Sequence, residues 1–291
     1  MKERSIKGSF GTHNGTFHAD EVTACALLIN FGLVDEKSVM RTRDPRVLDK
    51  CEYVCDVGGF YDPELKLFDH HQADYQGRLS SAGMVLHYLK DEGVLSEEEY
   101  RFYDQMIVAG VDDHDNGRDP QLPGVNTYSH IISNFMPISY EATDKDLDSA
   151  FFKALQFVKE HLKRLLKRFH YTHSCTEIVA QEMKKKTGTL FFEKSIPWMD
   201  SFFELGGEKH PACYVVMPTG KHWKLRGIPP NSDSRMQVRF PLPKSWAGLL
   251  EEDLKQVTGI QGAIFCHKGL FISVWETKED VLKALKLVLE S

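Results

Sequence analysis

The sequence has few cysteines and no long apolar run. Six cysteines lie at positions 25, 51, 55, 175, 213 and 266 of the 291 residues, and none forms a Cys-x-x-Cys pair. That absence excludes a zinc ribbon and favours free, mostly buried thiols in a reducing compartment. The best uncharged stretch, Val22 to Val34, is shorter than the roughly 20 residues of a membrane span. We therefore expect no membrane partner.

The amino-terminal residues carry no sign of targeting. Met1-Lys2-Glu3-Arg4 leads quickly into a strand-like segment, without an apolar signal region or an Arg-rich, acid-poor transit segment. This pattern predicts a cytoplasmic protein.

The chain also lacks the basic charge of a protein that grips long duplexes by counterion release. Its net charge is −6 and its pI is about 6.1. Short single-stranded nucleic acids or nucleotides remain plausible partners, because local fields matter more than net charge. The oligomeric state stays open, with a homodimer as one alternative.

Length and pattern predict an α/β protein of two domains. The length exceeds that of a typical single domain, and 42% hydrophobic with 27% charged residues is ordinary for a globular chain. Strands alternate with helices over the first 115 residues, which indicates a mainly parallel sheet. We predict a catalytic domain at 1–145, connecting helices at 146–187 and a smaller α/β domain at 188–291.

The individual elements follow from apolar periodicity and capping signals. In the first domain we predict strands at 5–12, 39–42, 53–57 and 65–69, helices at 20–31, 80–89 and 96–111, and an irregular connection at 116–134. Further on we predict a helix at 146–169, strands at 189–193, 213–217, 222–227, 262–267 and 270–274, and a terminal helix at 278–289.

Metal-ligand residue types collect at the predicted strand ends. The groups are His13, His18 and Asp20; then Asp56; then Asp69-His70-His71; then Asp112, Asp113 and Asp115. In a parallel sheet the ligand site lies outside the carboxyl ends of the strands, so these side chains are expected to converge. A carboxylate in a buried strand, such as Asp56, is costly unless it is paired or metal-bound.

Mixed carboxylate and imidazole ligation suits two divalent cations, Mn²⁺ best, with Mg²⁺, Co²⁺ or Zn²⁺ as alternatives. We expect Asp56 to bridge the two cations, and His13 and Asp69 to complete the ligand set of one of them. Asp20, His70 and either Asp112 or Asp115 would complete the other. His71 is placed on the substrate side, as a phosphate contact or an acid; with Asp56 and Asp69 it forms the predicted catalytic set.

Several residues have ordinary structural explanations as well. Any single histidine is more often a structural residue than a ligand, and Glu21 is better explained as a complement to a helix N-terminus. Arg41 and Arg43 suit bidentate phosphate contact, but an ion pair with Asp44 or Glu52 explains them equally well.

One face of the predicted helix 146–169 is basic. The residues concerned are Lys159, Lys163, Arg164, Lys167 and Arg168. We favour a solvated helix face over a rail for a nucleic-acid strand.

The motifs resemble those of the melanocyte-proliferating-gene family, a branch of the DHH phosphoesterase superfamily. They are 13–21, Arg41-Thr42-Arg43-Asp44, Asp56-Val57-Gly58-Gly59, Tyr61-Asp62, Asp69-His70-His71-Gln72, Ser80-Ser81-Ala82-Gly83, 132–135, Pro197-Trp198, 239–243 with Trp246, and 259–267. The resemblance implies a DHH-type catalytic domain with a smaller C-terminal domain. It assigns metal-ligand roles to His13, His18, Asp20, Asp56, Asp69 and His70, and a substrate-facing role to His71.

The same resemblance adds substrate-binding candidates at Ser80, Asn116, Arg239 and His267. The chain departs from the wider superfamily in two places. His18 stands where the superfamily's His-x-x-x-Asp-x-Asp pattern has an aspartate, with one extra residue of spacing, and the stretch after Gly269 has no run of glycines.

These observations favour a metal-dependent exonuclease on short RNA or DNA, in which metal-activated water attacks the terminal phosphodiester, and the resemblance implies 3′-to-5′ polarity. The first alternative is a small-nucleotide phosphatase or pyrophosphatase. The second is a non-catalytic nucleotide-sensing module. The nearly complete set of metal ligands argues against this second alternative.

Overall fold

The computed structural model describes residues 6–290, so Met1-Lys2-Glu3-Arg4 and Ser5 of the first predicted strand lie outside it. The described residues form two compact units, 6–169 and 170–290. The boundary between them falls inside the stretch 146–187 that we predicted to connect the domains.

The sheet of the first unit is mainly parallel, as predicted. Its strands are β1 (Ile6–Thr12), β2 (Val39–Arg41), β3 (Cys51–Cys55), β4 (Tyr61–Asp62) and β5 (Leu67–Phe68). They lie in the order β2-β1-β3-β5-β4, and only β4 runs antiparallel to its neighbour. The parallel strands β1, β3 and β5 therefore end at one edge.

Helices pack around this sheet. They are α1 (Ala19–Asn30), α2 (Pro45–Leu48), α3 (Ser81–Asp91), α4 (Glu97–Tyr103), α5 (Ala109–Asp115), α6 (Tyr128–Ser133) and α7 (Asp144–Ser174), with a 3-10 turn at Glu36–Ser38. A π-helical turn, Asp104–Val108, joins α4 to α5. The predicted capping box is present, because Ser96 and Glu99 each accept a hydrogen bond from the other's backbone N–H. Helix α6 lies within the stretch that we predicted to be irregular.

The core of the first unit lies between the sheet and its helices. The predicted stripe on α7 is buried at Phe151, Leu155, Val158 and Leu162, all 0% exposed. It packs in one cluster with Phe10 of β1 and with helix α1. Burial of this stripe explains why so long a helix with a polar outer face is stable.

The second unit is built on a sheet of its own. Its strands are β6 (Thr189–Phe191), β7 (Tyr214–Thr219), β8 (His222–Gly227), β9 (Ala263–Cys266) and β10 (Ile272–Trp275), in the order β6-β7-β8-β10-β9. Its helices are α8 (Thr176–Met183), α9 (Met199–Glu204), α10 (Glu251–Thr258) and α11 (Lys278–Leu289), with 3-10 turns at Gly207–Lys209 and Lys244–Trp246. Only β6 and β7 pair in parallel. The predicted α/β class is confirmed for both units.

Among the described residues, no helix combines the length and the apolar character needed to cross a membrane.

Candidate metal centre

Three parallel strands end in potential ligands. His13 follows β1, Asp56 follows β3 and Asp69 follows β5, and these side chains are 5%, 3% and 2% exposed. The predicted convergence at the carboxyl edge of the sheet is therefore present in the structure.

Asp56 lies at the centre of the group. Its Oδ2 is 3.1 Å from His13 Nε2, and its Oδ1 is 3.3 Å from His70 Nε2 and 3.4 Å from His71 Nδ1. Its backbone is left-handed, with φ of 57°. That conformation is uncommon outside glycine, although aspartate tolerates it better than most residues do. It turns the carboxylate from the end of β3 into the space between three imidazoles.

The start of α1 supplies a second part of the centre. Glu21 is 0% exposed, its two carboxylate oxygens both accept from His18 N–H at 3.0 Å, and its Oε1 lies 3.4 Å from His13 Nε2. Glu21 thus complements the helix start, as expected, and also belongs to the cluster. We did not predict that second role; its position one residue after Asp20 was the available signal.

Asp20 and Asp115 complete the arrangement. Asp115 Oδ2 lies 3.0 Å from His70 Nε2, and Asp20 Oδ2 accepts a hydrogen bond of 2.8 Å from Ser81 Oγ. Three groups of candidate ligand atoms result, each with its atoms within 4.8 Å of one another. They are His13, His18, Glu21 and Asp56; Asp56, His70 and His71; and His18, Asp20 and Asp115.

Asp69 is placed differently from the other predicted ligands. Its Oδ2 accepts from Gly59 N–H at 2.6 Å, and its Oδ1 lies 2.9 Å from His71 Nδ1 and accepts from His71 N–H at 3.1 Å. Asp69 therefore orients His71, whose side chain is 63% exposed and so open to solvent.

The electrostatics of the centre are strongly perturbed. Burial raises the pKa of Asp20 well above its ordinary value, helped by the charges of Asp56 and Asp115. Burial also raises the pKa of Glu21, helped by Asp20 and Asp56. Burial would likewise raise the pKa of Asp56, but contacts with His13 and His70 prevail and lower it to about 2. Closely packed carboxyl groups of this kind either hold protons or are compensated by a cation.

The donor set fits a divalent cation. Asp20 Oδ1, Asp56 Oδ1 and His70 Nε2 are buried and have no hydrogen-bond partner within residues 6–290, although carboxylate oxygens lie near His70 Nε2. Buried polar atoms are normally paired, and a metal ion would satisfy all three. Imidazoles and carboxylates are ordinary ligands of Mn²⁺ and Zn²⁺.

Asp112 lies outside these three groups, and Ser80 is bound to it. Asp112 Oδ1 accepts hydrogen bonds from Ser80 Oγ at 2.6 Å, Ser80 N–H at 3.0 Å and Gly83 N–H at 3.1 Å. Of the two aspartates that we left open, the structure brings Asp115 to the centre and uses Asp112 to cap α3. Ser80 is 0% exposed, which argues against its predicted substrate contact.

Arg41 is not available as a phosphate clamp. Its guanidinium donates to Asp148 Oδ1 and to the Gly15 carbonyl, both at 2.6 Å, and its side chain is 2% exposed. The predicted partners are wrong, since Asp44 pairs with Arg46 and Glu52 pairs with Lys66.

Arg43, unlike Arg41, is available to contact a phosphate group. It is exposed and forms no hydrogen bond or ion pair with another described residue.

The remaining substrate candidates also have structural partners. Arg239, in the second unit, donates to four backbone carbonyls, those of Gly207, His210, Ala212 and Pro229. Arg239 therefore organises a loop, which corrects the substrate role expected of it. His267 Nδ1 accepts from Gly269 N–H at 2.9 Å.

Asn116 and the basic face of α7 lie in the first unit. Asn116 Nδ2 donates to the Asp112 carbonyl at 2.8 Å at the end of α5. Lys163, Arg164, Lys167 and Arg168 are exposed, as a solvated face requires. Lys159 differs from them: it is 6% exposed and paired with Glu36.

Sequence comparison gives the family. The profile of a family described as "Uncharacterised protein family (UPF0160)", also labelled MYG1_exonuc, matches residues 9–289. The chain belongs to this MYG1 family. A MYG1 protein of Chlamydia pneumoniae is 53% identical over 285 residues, covering 98% of both chains. The human MYG1 exonuclease is 33% identical over 323 aligned positions, covering 96% of this chain and 85% of the human one. The predicted family is thereby confirmed.

Among solved structures, RecJ from Thermus thermophilus in complex with Mn²⁺ is similar at 12% identity, with a TM-score of 0.28. The match covers 98% of this chain and 52% of RecJ, so the chain spans about half of that protein. A TM-score this low transfers neither a residue role nor an activity from RecJ to the MYG1 family.

Proposed function

We propose that this chain is a 3′-to-5′ exonuclease that uses two divalent cations, Mn²⁺ first among them, to hydrolyse short RNA. The observation that carries the proposal is the set of ligand groups around buried Asp56 and exposed His18. Three buried polar atoms of this set have no hydrogen-bond partner within residues 6–290. Its eight members are acids and histidines from four stretches of the chain: His13, His18, Asp20 and Glu21; Asp56; His70 and His71; and Asp115.

The residues divide naturally between two cations that share Asp56. His13 Nε2 lies next to Asp56 Oδ2 and Glu21 Oε1, while His70 Nε2 lies next to the other Asp56 oxygen, Oδ1. Asp20 and Asp115 extend the His70 side. When bound, two such cations neutralise charge on a phosphoryl group and lower the pKa of water.

The chain's own side chains would orient the substrate. His71, held by Asp69 and largely exposed, is placed to contact a phosphate oxygen or donate a proton to the leaving oxygen. Exposed Arg43 follows β2, whose end lies at the same sheet edge as the end of β1, and adds a bidentate phosphate donor.

The relatives support the type of reaction. Rat and human relatives at 34% and 33% identity are named MYG1 exonuclease. RNA as substrate and 3′-to-5′ polarity come from the resemblance of the motifs to the melanocyte-proliferating-gene family. The net charge of −6 favours short substrates, because long polyanions need an extended basic surface. Action in the cytoplasm and a homodimeric state complete the proposal.

The deciding experiment is hydrolysis of a 5′-labelled short RNA by purified protein with Mn²⁺. A ladder that shortens from the 3′ end supports the proposal if EDTA and the Asp56→Asn variant both abolish it. Asp91→Asn is the matched control, since Asp91 is an exposed carboxylate paired with a histidine outside the centre.

Absence of cleavage by folded, metal-loaded protein would overturn the exonuclease assignment. The same preparation is then assayed for phosphate release from a nucleotide bisphosphate and from pyrophosphate. A ladder that shortens from the 5′ end would overturn only the polarity.

A further inference from the structure

A second group of histidines and carboxylates lies beyond the centre around Asp56. His114 on α5, Asp119 in the following loop and His130 on α6 each offer one ligand atom, all within 4.8 Å of one another. His114 Nδ1 lies 2.8 Å from Asp119 Oδ2, and the two imidazole rings are 4.9 Å apart. This group shares no residue with the groups around Asp56.

Neighbouring residues on α5 serve the two groups. Asp115 points to His18 and Asp20, whereas His114 points to Asp119 and His130. Successive helical side chains diverge by about 100°, so one helix can present ligands to two separate places. The group is half-buried, which leaves it accessible to an ion from solvent.

The ligand types and their number suit zinc. Zinc is commonly held by two histidines and a carboxylate, with water as the fourth ligand of a tetrahedron. Manganese and magnesium prefer more oxygen ligands than this group provides.

A neighbouring oxygen is placed to orient His130. Thr127 Oγ1 lies 2.9 Å from His130 Nδ1, which leaves Nε2 for a metal. Metal-binding histidines normally donate their other N–H to an oxygen in this way. Thr127 N–H also donates to His130 Nδ1 at 3.3 Å. In the metal-bound tautomer Nδ1 would carry the proton, so this longer hydrogen bond would be lost and the one to Thr127 Oγ1 kept.

A simple ion pair does not account for the arrangement. His87 and Asp91 form such a pair on α3, at 2.9 Å, and no second imidazole joins them. At Asp119 a second imidazole comes from a separate helix, and its ring lies edge-on to His114 with the ring centres 4.9 Å apart.

We propose that His114, Asp119 and His130 bind a zinc ion at a site separate from the centre around Asp56. The ion would tie the loop 116–127 to α5 and α6, because one ligand comes from each of these three segments. This site does not depend on the proposed exonuclease activity, and its failure would leave that proposal unchanged.

The test measures zinc bound per chain after dialysis, by mass spectrometry of the metal, in a background that carries Asp56→Asn and His70→Ala. We expect about one zinc per chain to remain in this background, and His114→Ala or His130→Ala to remove it. His87→Ala is the matched control and should retain the zinc. Circular dichroism verifies that each variant is folded.

A second measurement keeps the proposal testable if an alanine variant fails to fold. Thr127→Val removes the orienting oxygen, which also accepts from His130 N–H at the start of α6, and in the folded variant it should weaken zinc binding by roughly 10- to 100-fold. Cobalt substituted for zinc should show the strong visible absorption of a four-coordinate site in the background protein, and His114→Ala should abolish it. Absence of zinc from the folded background, or equal zinc in the His114→Ala and His87→Ala variants, would overturn the proposal.

Discussion

Gly83 and Asp112 lie so close that a side chain at position 83 would displace the Asp112 carboxylate. A Cβ on Gly83 would lie 2.1 Å from Asp112 Oδ2, and its N–H donates to Asp112 Oδ1 at 3.1 Å. The carboxylate from α5 thus occupies the space of a side chain at the start of α3. This contact fixes two helices of the metal centre relative to each other, since α1 and α5 both pack on α3.

Gly83→Ala is therefore expected to destabilise the protein by about 1–3 kcal/mol through overpacking. Urea denaturation measures the change. Gly110→Ala is the matched control on α5, where no atom lies within 4 Å of the added Cβ. There alanine should stabilise the helix by up to about 1 kcal/mol, since glycine is a poor helix former. Equal effects of the two substitutions would contradict the packing at Gly83.

The stability contributed by Asp112 should depend on pH. Burial raises its pKa to about 6, against hydrogen bonds from Ser80 and Gly83 that lower it. The folded chain therefore binds this proton more tightly than an unfolded aspartate, whose pKa is about 3.9. The resulting stabilisation is present below about pH 4 and is lost as the pH rises through about 6.

We expect the free energy of unfolding of the unmodified chain, relative to Asp112→Asn, to decrease across that interval. A pH series of urea denaturation curves measures the difference. A constant difference from about pH 4 to about pH 7 would be inconsistent with the raised pKa.

Divalent cations should stabilise the protein through Asp56. A cation that binds only the folded chain adds about 2.7 kcal/mol at a concentration 100 times its dissociation constant. We expect Mn²⁺ to raise the melting temperature of the EDTA-treated protein, and Asp56→Asn to abolish that rise together with activity. In EDTA the variant should melt below the unmodified chain, because contacts with His13 and His70 hold the pKa of Asp56 at about 2, so that its charge stabilises the fold at neutral pH. If Mn²⁺ still raised the melting temperature of Asp56→Asn, Asp56 would not be the residue that the two cations share.

The two roles of Glu21 can be separated. Glu21→Gln keeps an oxygen that accepts from His18 N–H, so stability should change by less than about 0.5 kcal/mol. It removes the charge next to His13, so Mn²⁺ affinity should fall by about 10-fold, measured by calorimetric titration. Unchanged affinity would restrict Glu21 to its helix-start role. Glu21→Ala should lower both stability and affinity.

Arg41 and Arg43 should behave oppositely in substitutions. Arg41 donates to Asp148 and to the Gly15 carbonyl, and its guanidinium lies 4.7 Å from the centre of the Phe151 ring. Arg41→Lys breaks this planar geometry and should cost about 1–3 kcal/mol of stability. Arg43→Ala should leave stability unchanged and raise KM for RNA. The reverse pattern would contradict the structure.

The sequence predicted the features that depend on local order along the chain. The strand ending at Thr12, the strand predicted at 65–69 and found at Leu67–Phe68, and the capping box at Ser96 follow from residue patterns over a few positions. The convergence of His13, Asp56 and Asp69 then follows from the parallel sheet alone.

The partners of charged side chains could not be predicted in the same way. Arg41 pairs with Asp148, 107 positions away, and Arg239 with carbonyls 27 to 32 positions away, apart from the nearer Pro229. The choice between Asp112 and Asp115 likewise depended on where α3 begins relative to α5. Such contacts depend on how segments pack, which no local pattern encodes.

The left-handed backbone at Asp56 limits which mutations this position can accept. With φ of 57°, only aspartate, asparagine and glycine are readily accommodated, and β-branched residues would be strongly strained. Of those three, aspartate alone carries a charge. Glutamate would keep the charge but would strain the left-handed backbone. A substitution that conserves the charge at position 56 is therefore not equivalent to one that conserves the backbone conformation. A lineage of this protein that loses catalysis by drift should therefore retain its fold through asparagine or glycine at position 56.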